Sequence, residues 1–464
     1  MATIIEAIDD AKLFGRQFEG ESWAAWRSFL SALFGLELTE EQIEVFQRHT
    51  GRETVAGSYN EAWVIAGRRG GKSRIAALIA VFLACFRDYS HVLSTGERGV
   101  LAVLAADRRQ ARTIFRYVEG LIDSVPMLHG MVSHRTKESI EFTNGIDLEI
   151  HTSSYRSVRG YTIVGAILDE VSFWRQDDSA NPDTEILRAI RPSMATVDGA
   201  LLLAVTTPYA RRGEAWKAFE RHYGKDSSVL VWQAPTEAMN PAIPKRVIEE
   251  AYEDDPLAAE AEYGAQFRKD IEGYASREAV EAVIVPGRGL LPLVPGVRYV
   301  AFTDPSGGVR DSMTLAIAHR EGDRAVLDCV VETRPPFSPE GTVEQYAAIL
   351  KGYRVREVTG DRYAGEWPRE QYRKHGVRYL ISERSKSDIY RDLLPLIHSG
   401  AIELLDIDRL KAQLLGLERR TSRAGRDSID HGPGGMDDVI NSVAGALTLA
   451  GERPSRAVVQ RLPR

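Results

Sequence analysis

The segment from residue 62 to residue 86 combines a short apolar run, a glycine-rich turn and a helical pattern, in that order. Residues 62–66 predict a buried strand and residues 74–86 predict a helix. Glycines let several backbone N–H groups face one anion, and the following helix adds the positive end of its dipole. The turn consists of Ala66, Gly67, Arg68, Arg69, Gly70, Gly71, Lys72 and Ser73. Its position between a strand and a helix predicts a phosphate-binding loop.

Lys72 and Ser73 are the residue types that a nucleoside triphosphate and its metal ion require. A lysine here reaches the β and γ phosphates, and the serine hydroxyl holds Mg²⁺. The common spacing is G-x-x-x-x-G-K-[ST], and Ala66 stands at its first position, so the loop is a variant. The alternative is an ordinary glycine-rich turn with a solvated lysine, and finding all these residues after a strand disfavours it. The predicted cofactor is ATP with Mg²⁺.

The chain has 464 residues, of which 44% are hydrophobic and 27% are charged. This length predicts two domains, each with a core of its own. We find neither an apolar run long enough to span a membrane nor a basic segment followed by an apolar one at the N-terminus, so we expect no membrane partner and no export. The net charge of -7 disfavours coating of nucleic acid by bulk charge. Any DNA contact must come from local basic patches.

Cys85 and Cys329 are the only cysteines, and they lie in an apolar helix pattern and an apolar strand pattern. Such positions are typical of buried thiols in a reducing compartment. A zinc site built from cysteine ligands is excluded.

Strand and helix patterns alternate along most of the chain, which predicts an α/β fold. Continuous apolar strands between helices, such as 162–168 and 201–205, predict a parallel sheet covered on both faces. Asn144-Gly145 predicts the turn of a hairpin over residues 139–150. The predicted segments are a helical lid (1–60), the domain of the phosphate loop (61–238), a helical linker (239–290), a second α/β domain (291–450) and a basic flexible tail (451–464).

Two acids, Asp169 and Glu170, follow the apolar strand pattern directly. Ligands of open α/β sheets bind at such strand ends. Asp169 is predicted to hold Mg²⁺ and Glu170 to orient and activate the attacking water. Thr206 and Thr207 end the next apolar strand and are candidates to sense the γ phosphate. The alternative interpretation of these two acids and two threonines is a solvated strand end. For the threonines, this alternative stays open.

Arg159 precedes Glu170 in a glycine-containing loop. An arginine beside an ATP site can stabilise charge in the transition state. It can equally bind DNA phosphate or remain in solvent, and Arg68 and Arg69 are rival candidates for the same role.

A second group of acids occurs in the C-terminal half of the sequence. Asp304 and Asp361 each end a predicted strand, and Asp437 and Asp438 open a predicted helix. Acids that converge on one sheet edge can hold two hard metal ions, Mg²⁺ or Mn²⁺, which clamp the attacking and leaving oxygens of a phosphodiester. Taken singly, each acid is explained as a turn residue or a helix cap. Their order on a strand-strand-strand-helix framework favours metal binding.

A basic cluster precedes that helix. Its members are Arg419, Arg420, Arg423 and Arg426. A basic loop beside a metal centre suits contacts to a DNA backbone, although such a run is more often a solvated face.

Together these motifs resemble the large terminase subunit of tailed bacteriophages, over about residues 46–450. The loop at 66–73, the acids at 169–170, Thr-Thr-Pro at 206–208 and Gly-Gly-Met-Asp-Asp at 434–438 carry the resemblance. It implies a RecA-like ATPase of the additional-strand, catalytic-glutamate class followed by an RNase H-like nuclease. It also implies an arginine at 159 that acts across a subunit boundary.

The resemblance further implies a packaging motor that moves double-stranded DNA into a procapsid and cuts concatemeric DNA in the cytoplasm of a host cell. Its implied partners are DNA, the portal protein, the small terminase subunit and other copies of the chain in a ring, a pentamer, with a monomer as the alternative in solution. Met436 departs from the pattern, because many relatives carry histidine there. Whether Asp437 or Asp438 binds metal is therefore left open.

Two other classes of protein are weighed against this interpretation. A helicase would share the ATPase motifs but should have a second ATPase-like domain, where this sequence has acids instead. A scaffold driven by ATP would have an inert C-terminal domain.

Overall fold

The computed structural model describes residues 2–55, 57–152, 160–174, 182–309, 311–361, 366–421 and 427–452. The chain forms two compact units, the first ending at Ile271 and the second beginning at Glu272. This division falls inside the predicted 239–290 linker. The finer five-segment division stays a prediction.

The first unit alternates helices and strands. Its helices are α1 (Ile4–Asp9), α2 (Ala24–Leu33), α3 (Glu40–Thr50), α4 (Lys72–Phe86), α5 (Arg108–Asp123), α6 (Pro126–His129), α7 (Pro182–Met194), α8 (Gly213–His222), α9 (Thr236–Met239), α10 (Lys245–Asp254) and α11 (Pro256–Glu262). Its strands are β1 (Glu61–Ala66), β2 (Gly99–Ala105), β3 (Val132–Arg135), β4 (Ser139–Phe142), β5 (Ile146–Thr152), β6 (Thr162–Asp169), β7 (Leu201–Thr206) and β8 (Val229–Ala234).

Within the described residues these strands form one sheet, in the order β3-β4-β5-β2-β6-β7-β1-β8. Pairing is parallel from β5 to β8, while β3 and β4 add an antiparallel edge. The predicted parallel sheet and the predicted hairpin, formed by β4 and β5, are confirmed. Because β7 lies between β1 and β6, one strand separates the phosphate loop from the strand that ends in acids. This inserted strand confirms the RecA-like fold class.

The N-terminal helices pack into the core of this unit. Trp26, Phe29 and Phe46 are fully buried, and the Phe29 ring lies 5.5 Å from the ring of Trp232 on β8. Helix α3 begins after Thr39, whose side chain accepts a hydrogen bond from the amide of the third helical residue. The aromatic residues of these helices therefore contribute to the core, and the lid role of this segment stays a prediction.

The second unit also mixes helices and strands. Its strands are β9 (Ile271–Gly273), β10 (Tyr299–Asp304), β11 (Met313–Glu321), β12 (Arg324–Thr333), β13 (Glu357–Gly360), β14 (Arg378–Ile381), β15 (Ile402–Glu403), β16 (Leu417–Thr421) and β17 (Asp427–His431). Its helices are α12 (Arg277–Val283), α13 (Pro339–Gly352), α14 (Trp367–Lys374), α15 (Lys386–His398), α16 (Asp408–Gly416) and α17 (Asp438–Gly451).

The main sheet of the second unit has the order β14-β13-β10-β11-β12-β15 within the described chain. Strands β10, β11 and β12 form an antiparallel meander, and β13 and β14 extend it in parallel from the other side of β10. The RNase H-like fold is defined by three antiparallel strands and two further strands that extend the sheet in parallel next to the first. The second unit has this fold, as predicted. Within its described residues, this unit contains no second RecA-like sheet of the kind that a helicase of the alternative class would have.

Side chains alternate between the two faces of this sheet. Ala316 and Ala318 pack with α15, α16 and α17, whereas Leu315 and Ile317 pack with α13 and α14. Both faces are covered by helices, so the strands are apolar along their length.

In the part of the chain that the structure describes, we find no helix with the length and apolar character needed to cross a membrane.

Helix α17 approaches β10 closely at a glycine. A Cβ atom added to Gly445 would lie 2.2 Å from the Phe302 ring. We expect Gly445→Ala to destabilise the protein by about 1–3 kcal/mol through overpacking, although alanine favours helix. The Tm should fall by several degrees in thermal denaturation. Gly352→Ala, at the end of α13 with nothing within 4 Å, is the matched control. Equal Tm values for the two variants would contradict this packing.

Candidate functional site

The phosphate-binding loop requires glycine at two of its positions. A Cβ atom on Gly67 would lie 2.2 Å from Thr236 Oγ1, so no side chain fits there. Gly71 has a φ of 91°, in the left-handed region that favours glycine. Trp26 Nε1 donates a hydrogen bond of 2.8 Å to the Gly70 carbonyl. The buried indole thus fixes the end of the loop from which α4 begins.

Two polar side chains that follow β8 hold the middle of the loop. Thr236 Oγ1 donates to the Arg68 carbonyl at 2.8 Å, and Asn240 Nδ2 donates to the Arg69 carbonyl at 2.9 Å. These bonds support Arg69 at a φ of 66°, which is unusual for a residue with a side chain. Sequence reasoning assigned neither Thr236 nor Asn240 to the site.

The Lys72 ammonium lies below the loop, where it is almost fully buried. Its Nζ donates to the Ala66 carbonyl and to Thr207 Oγ1, each at 2.8 Å, and lies 3.6 Å from Glu170 Oε1. Burial lowers the pKa of Lys72, and the charge of Glu170 opposes that shift. The structure therefore brings Lys72, Glu170 and Thr207 together from three neighbouring strand ends.

Asp169 and Glu170 differ in their surroundings. Asp169 is buried, and burial, followed by the charge of Glu170, raises the pKa of Asp169 to about 7. Its Oδ1 has no hydrogen-bond partner among the described residues. Glu170 is partly exposed, and its Oε2 accepts a hydrogen bond of 2.8 Å from the Thr207 amide. A buried carboxylate oxygen with an unused lone pair fits a Mg²⁺ ligand, held directly or through water.

Thr206 supports the turn that follows the acids. Its Oγ1 accepts a hydrogen bond of 3.2 Å from the Ser172 amide and donates one of 3.0 Å to the Thr207 carbonyl. Of these two threonines, Thr207 is therefore the one that contacts Lys72, and Thr206 is its neighbour in the chain.

A cavity of about 560 Å³ lies over the loop. It is lined by residues 68–74 together with Trp23, Tyr117 and Glu170, among others. Its volume suits a nucleotide. Arg68 and Arg69 are exposed at this cavity, whereas the predicted Arg159 lies outside the described residues.

Asp304 and Asp361 lie at one edge of the RNase H-like sheet. Asp304 ends β10 and Asp361 follows β13, its parallel neighbour. Asp304 Oδ2 accepts a hydrogen bond of 2.8 Å from Asn441 Nδ2 on α17. Burial raises the pKa of Asp304 to about 7, and the charges of Asp438, Asp437 and Asp361 add to the shift. The predicted acids therefore interact electrostatically in one region.

The adjacent acids at the start of α17 make different contacts. Asp437 Oδ2 accepts hydrogen bonds from Tyr390 at 2.8 Å and from Lys386 Nζ at 2.9 Å. Asp438 Oδ2 accepts a longer bond of 3.3 Å from the Ser312 amide. Burial, followed by the charge of Asp437, raises the pKa of Asp438 to about 6. Asp437 is neutralised by the protein, and Asp438 has no comparable ion pair in the described chain.

The spacing of the acids bears on metal binding. Among the described residues, the one group of three candidate ligands within 4.8 Å of one another is Asp430, His431 and Asp437. Sequence reasoning predicted Asp437 as a metal ligand but missed Asp430 and His431. Asp304 interacts electrostatically with Asp361 and Asp438, although these three acids do not form a group this close among the described residues. The oxygen-only donor set fits Mg²⁺ or Mn²⁺.

The described part of the basic cluster is paired with acids. Arg419 lies 2.5 Å from Asp427, and Arg420 lies 3.3 Å from Glu418. Arg423 and Arg426 lie outside the described residues. The predicted DNA contact of this cluster stays a prediction.

The fold and the loop define the first unit as a P-loop domain. The profile of a family described as "Uncharacterized protein MJ0330, N-terminal P-loop domain" matches residues 3–265, which is more than half of the chain. The chain belongs to this family. A comparison with curated proteins gave no match.

Several solved structures are similar to this chain at low identity. The large terminase of bacteriophage HK97 is 15% identical, with 85% of this chain and 91% of that one covered and a TM-score of 0.37. The large terminase of the thermophilic bacteriophage D6E in complex with ADP is 12% identical, with 84% and 93% covered and a TM-score of 0.36. The magnesium-bound large terminase nuclease of the thermophilic phage G20c is 17% identical, with 37% and 94% covered and a TM-score of 0.32. TM-scores this low carry no functional conclusion, so function is inferred below from the residues themselves.

The raised pKa of Asp169 predicts a pH-dependent stability. Because the folded pKa of about 7 exceeds the unfolded value of about 4, the contribution of this carboxyl group is complete below about pH 4 and is lost as pH rises through 7. In metal-free and nucleotide-free buffer, Asp169→Asn should raise the Tm relative to wild type at pH 8, and the difference should shrink towards pH 5. Thermal denaturation at both pH values measures this, with the exposed Asp226→Asn as control. A difference independent of pH would contradict the burial of this carboxylate.

Proposed function

We propose that the first unit is an ATPase. The observation that carries this proposal is the contact of the buried Lys72 ammonium with Thr207 and Glu170, beneath a glycine loop. Beside it lies an Asp169 oxygen that has no hydrogen-bond partner among the described residues. A P-loop, a metal-binding acid and a second acid near the γ phosphate are the parts that ATP hydrolysis requires.

In this proposal the loop amides and Lys72 bind the β and γ phosphates. Ser73 and Asp169 would hold Mg²⁺, which would neutralise charge on the phosphates. Glu170 accepts a proton from the attacking water. The Thr207 amide donates a hydrogen bond of 2.8 Å to the Glu170 carboxylate, so the end of β7 fixes the position of that base. The proposed Arg159 would add transition-state charge from a neighbouring copy, with Arg68 or Arg69 as the alternative in the same chain.

We propose that the second unit is a metal-dependent DNA endonuclease. Asp304, Asp361 and Asp438 would bind Mg²⁺ or Mn²⁺, which activates water and stabilises the leaving oxygen of a phosphodiester. The electrostatic interaction of Asp304 with the other acids supports this assignment, since repulsion among neighbouring carboxylates favours a bound cation. We favour Asp438 over Asp437 as the ligand because Asp437 forms an ion pair with Lys386 and accepts a hydrogen bond from Tyr390.

A P-loop domain followed by an RNase H-like domain in one chain supports a viral DNA-packaging motor of the large terminase class. In this role the chain would use ATP hydrolysis to move double-stranded DNA into a procapsid and would cut the concatemer with its second unit. Its proposed partners are a portal protein, a small terminase subunit and further copies of the chain in a ring.

Reciprocal variants of the full chain test the two proposed activities. Lys72→Ala should lower ATP turnover at least about a hundredfold, because the phosphates lose their buried cation, and should leave Mn²⁺-dependent cutting of plasmid DNA in place. Asp304→Asn should abolish cutting and leave ATP turnover in place. Phosphate release and agarose gel electrophoresis measure the two reactions.

Lys374→Met, an exposed substitution in the second unit, controls for non-specific effects. Unchanged ATP turnover in Lys72→Ala would refute the ATPase site. Absence of cutting by the wild type with either metal ion would favour the scaffold with an inert C-terminal domain.

A further inference from the structure

The Lys386 ammonium lies between two carboxylates next to the proposed nuclease centre. Its Nζ is 2.8 Å from Asp430 Oδ1 on β17 and 2.9 Å from Asp437 Oδ2 before α17. Lys386 is the first residue of α15, so three separate elements meet at one cation. The Asp437 side chain is only 8% exposed. A carboxylate this buried requires a compensating charge.

Tyr390, one turn further along α15, completes the contacts of Asp437. Its hydroxyl is fully buried and donates to the same Oδ2 atom at 2.8 Å. His431 Nε2 lies 4.0 Å from the other oxygen, Oδ1. Asp430, His431 and Asp437 thus have the residue types and spacing of a cation site, and Lys386 contacts two of them. The site already contains a cation that belongs to the protein.

We propose that Lys386 is a positioning residue that serves as the internal cation of the Asp430, His431 and Asp437 group. This proposal rests on the nuclease function proposed above. It excludes a divalent ion from this group and ties β17 to the start of α17. Asp438, the next residue, is then the acid left to act with Asp304. Asp437 and Asp438 therefore have different roles. Lys386 neutralises Asp437, whereas Asp438 has no such ion pair among the described residues.

Counting bound Mn²⁺ on the full-length, nucleotide-free protein by electron paramagnetic resonance tests this role. Lys386→Met leaves the group without its cation and should bind about one more Mn²⁺ per chain than wild type. Lys386→Arg keeps the charge and should retain the wild-type count. The double variant Lys386→Met with Asp437→Asn removes the charge pair together and should also return to the wild-type count. Lys374→Met is the matched control, since this lysine donates to Gln371 instead of an acid.

Thermal denaturation in EDTA adds a readout that does not depend on bound metal or on cutting. The Tm of Lys386→Met should fall below that of wild type, because Asp437 is left buried and unpaired. It should recover when Mn²⁺ is added and in the double variant. If Lys386→Met does not fold, Lys386→Gln provides the same comparison with a hydrogen-bond donor kept.

Cleavage of plasmid DNA completes the test. Lys386→Met should cut at least about tenfold more slowly than wild type, as loss of a supporting residue at a metal centre typically causes. A wild-type Mn²⁺ count in Lys386→Met, or an extra ion in the double variant, would overturn the internal-cation role. Failure of the wild type to cut DNA would refute the nuclease proposal instead, and the ion count would still decide the assignment of Lys386.

Discussion

The buried ammonium of Lys72 joins the ends of three neighbouring strands, and the geometry of the first site depends on it. Ala66, which supplies the carbonyl, is the last residue of β1. Glu170 follows β6, and Thr207 follows β7. A lysine in a nearly dry position is stable only with such partners. Since the three strands are parallel and adjacent, their ends meet at one edge and supply these partners together. The sheet order is therefore as important to the site as the loop sequence.

The same principle shapes the second unit with different chemistry. Asp304 and Asp361 come from parallel neighbours β10 and β13, and α17 adds Asp438 across the edge. Here burial raises the pKa of Asp304, and the charges of Asp438, Asp437 and Asp361 add to the shift. The first site thus contains a cation of the protein, Lys72, whereas the proposed role of the second site is to bind metal ions. Within the second site, Asp437 is paired with Lys386.

Much of this could be predicted from the sequence, because motifs at the ends of parallel strands have a fixed geometric meaning. The loop and the acids 169–170 were predicted in this way, and the pair at 437–438 was predicted from its position at the start of a helix. Thr236, Asn240 and Trp26 could not be identified, since they reach the loop from distant segments through tertiary contacts that no local pattern encodes. The different environments of Asp437 and Asp438 were equally hidden, because Lys386 lies about fifty residues before them and meets them only in the folded chain. Long-range packing decides such pairings, and residue spacing does not.

The role of Glu170 as the base that activates water is the central claim for the first unit. Glu170→Gln keeps the size of the side chain and its contact with the Thr207 amide, and it removes the negative charge. Equilibrium binding of a fluorescent ATP analogue and single-turnover hydrolysis should be measured on the same variant. The proposed mechanism predicts binding within a few-fold of wild type and hydrolysis slowed at least about a hundredfold. Hydrolysis at the wild-type rate would contradict it.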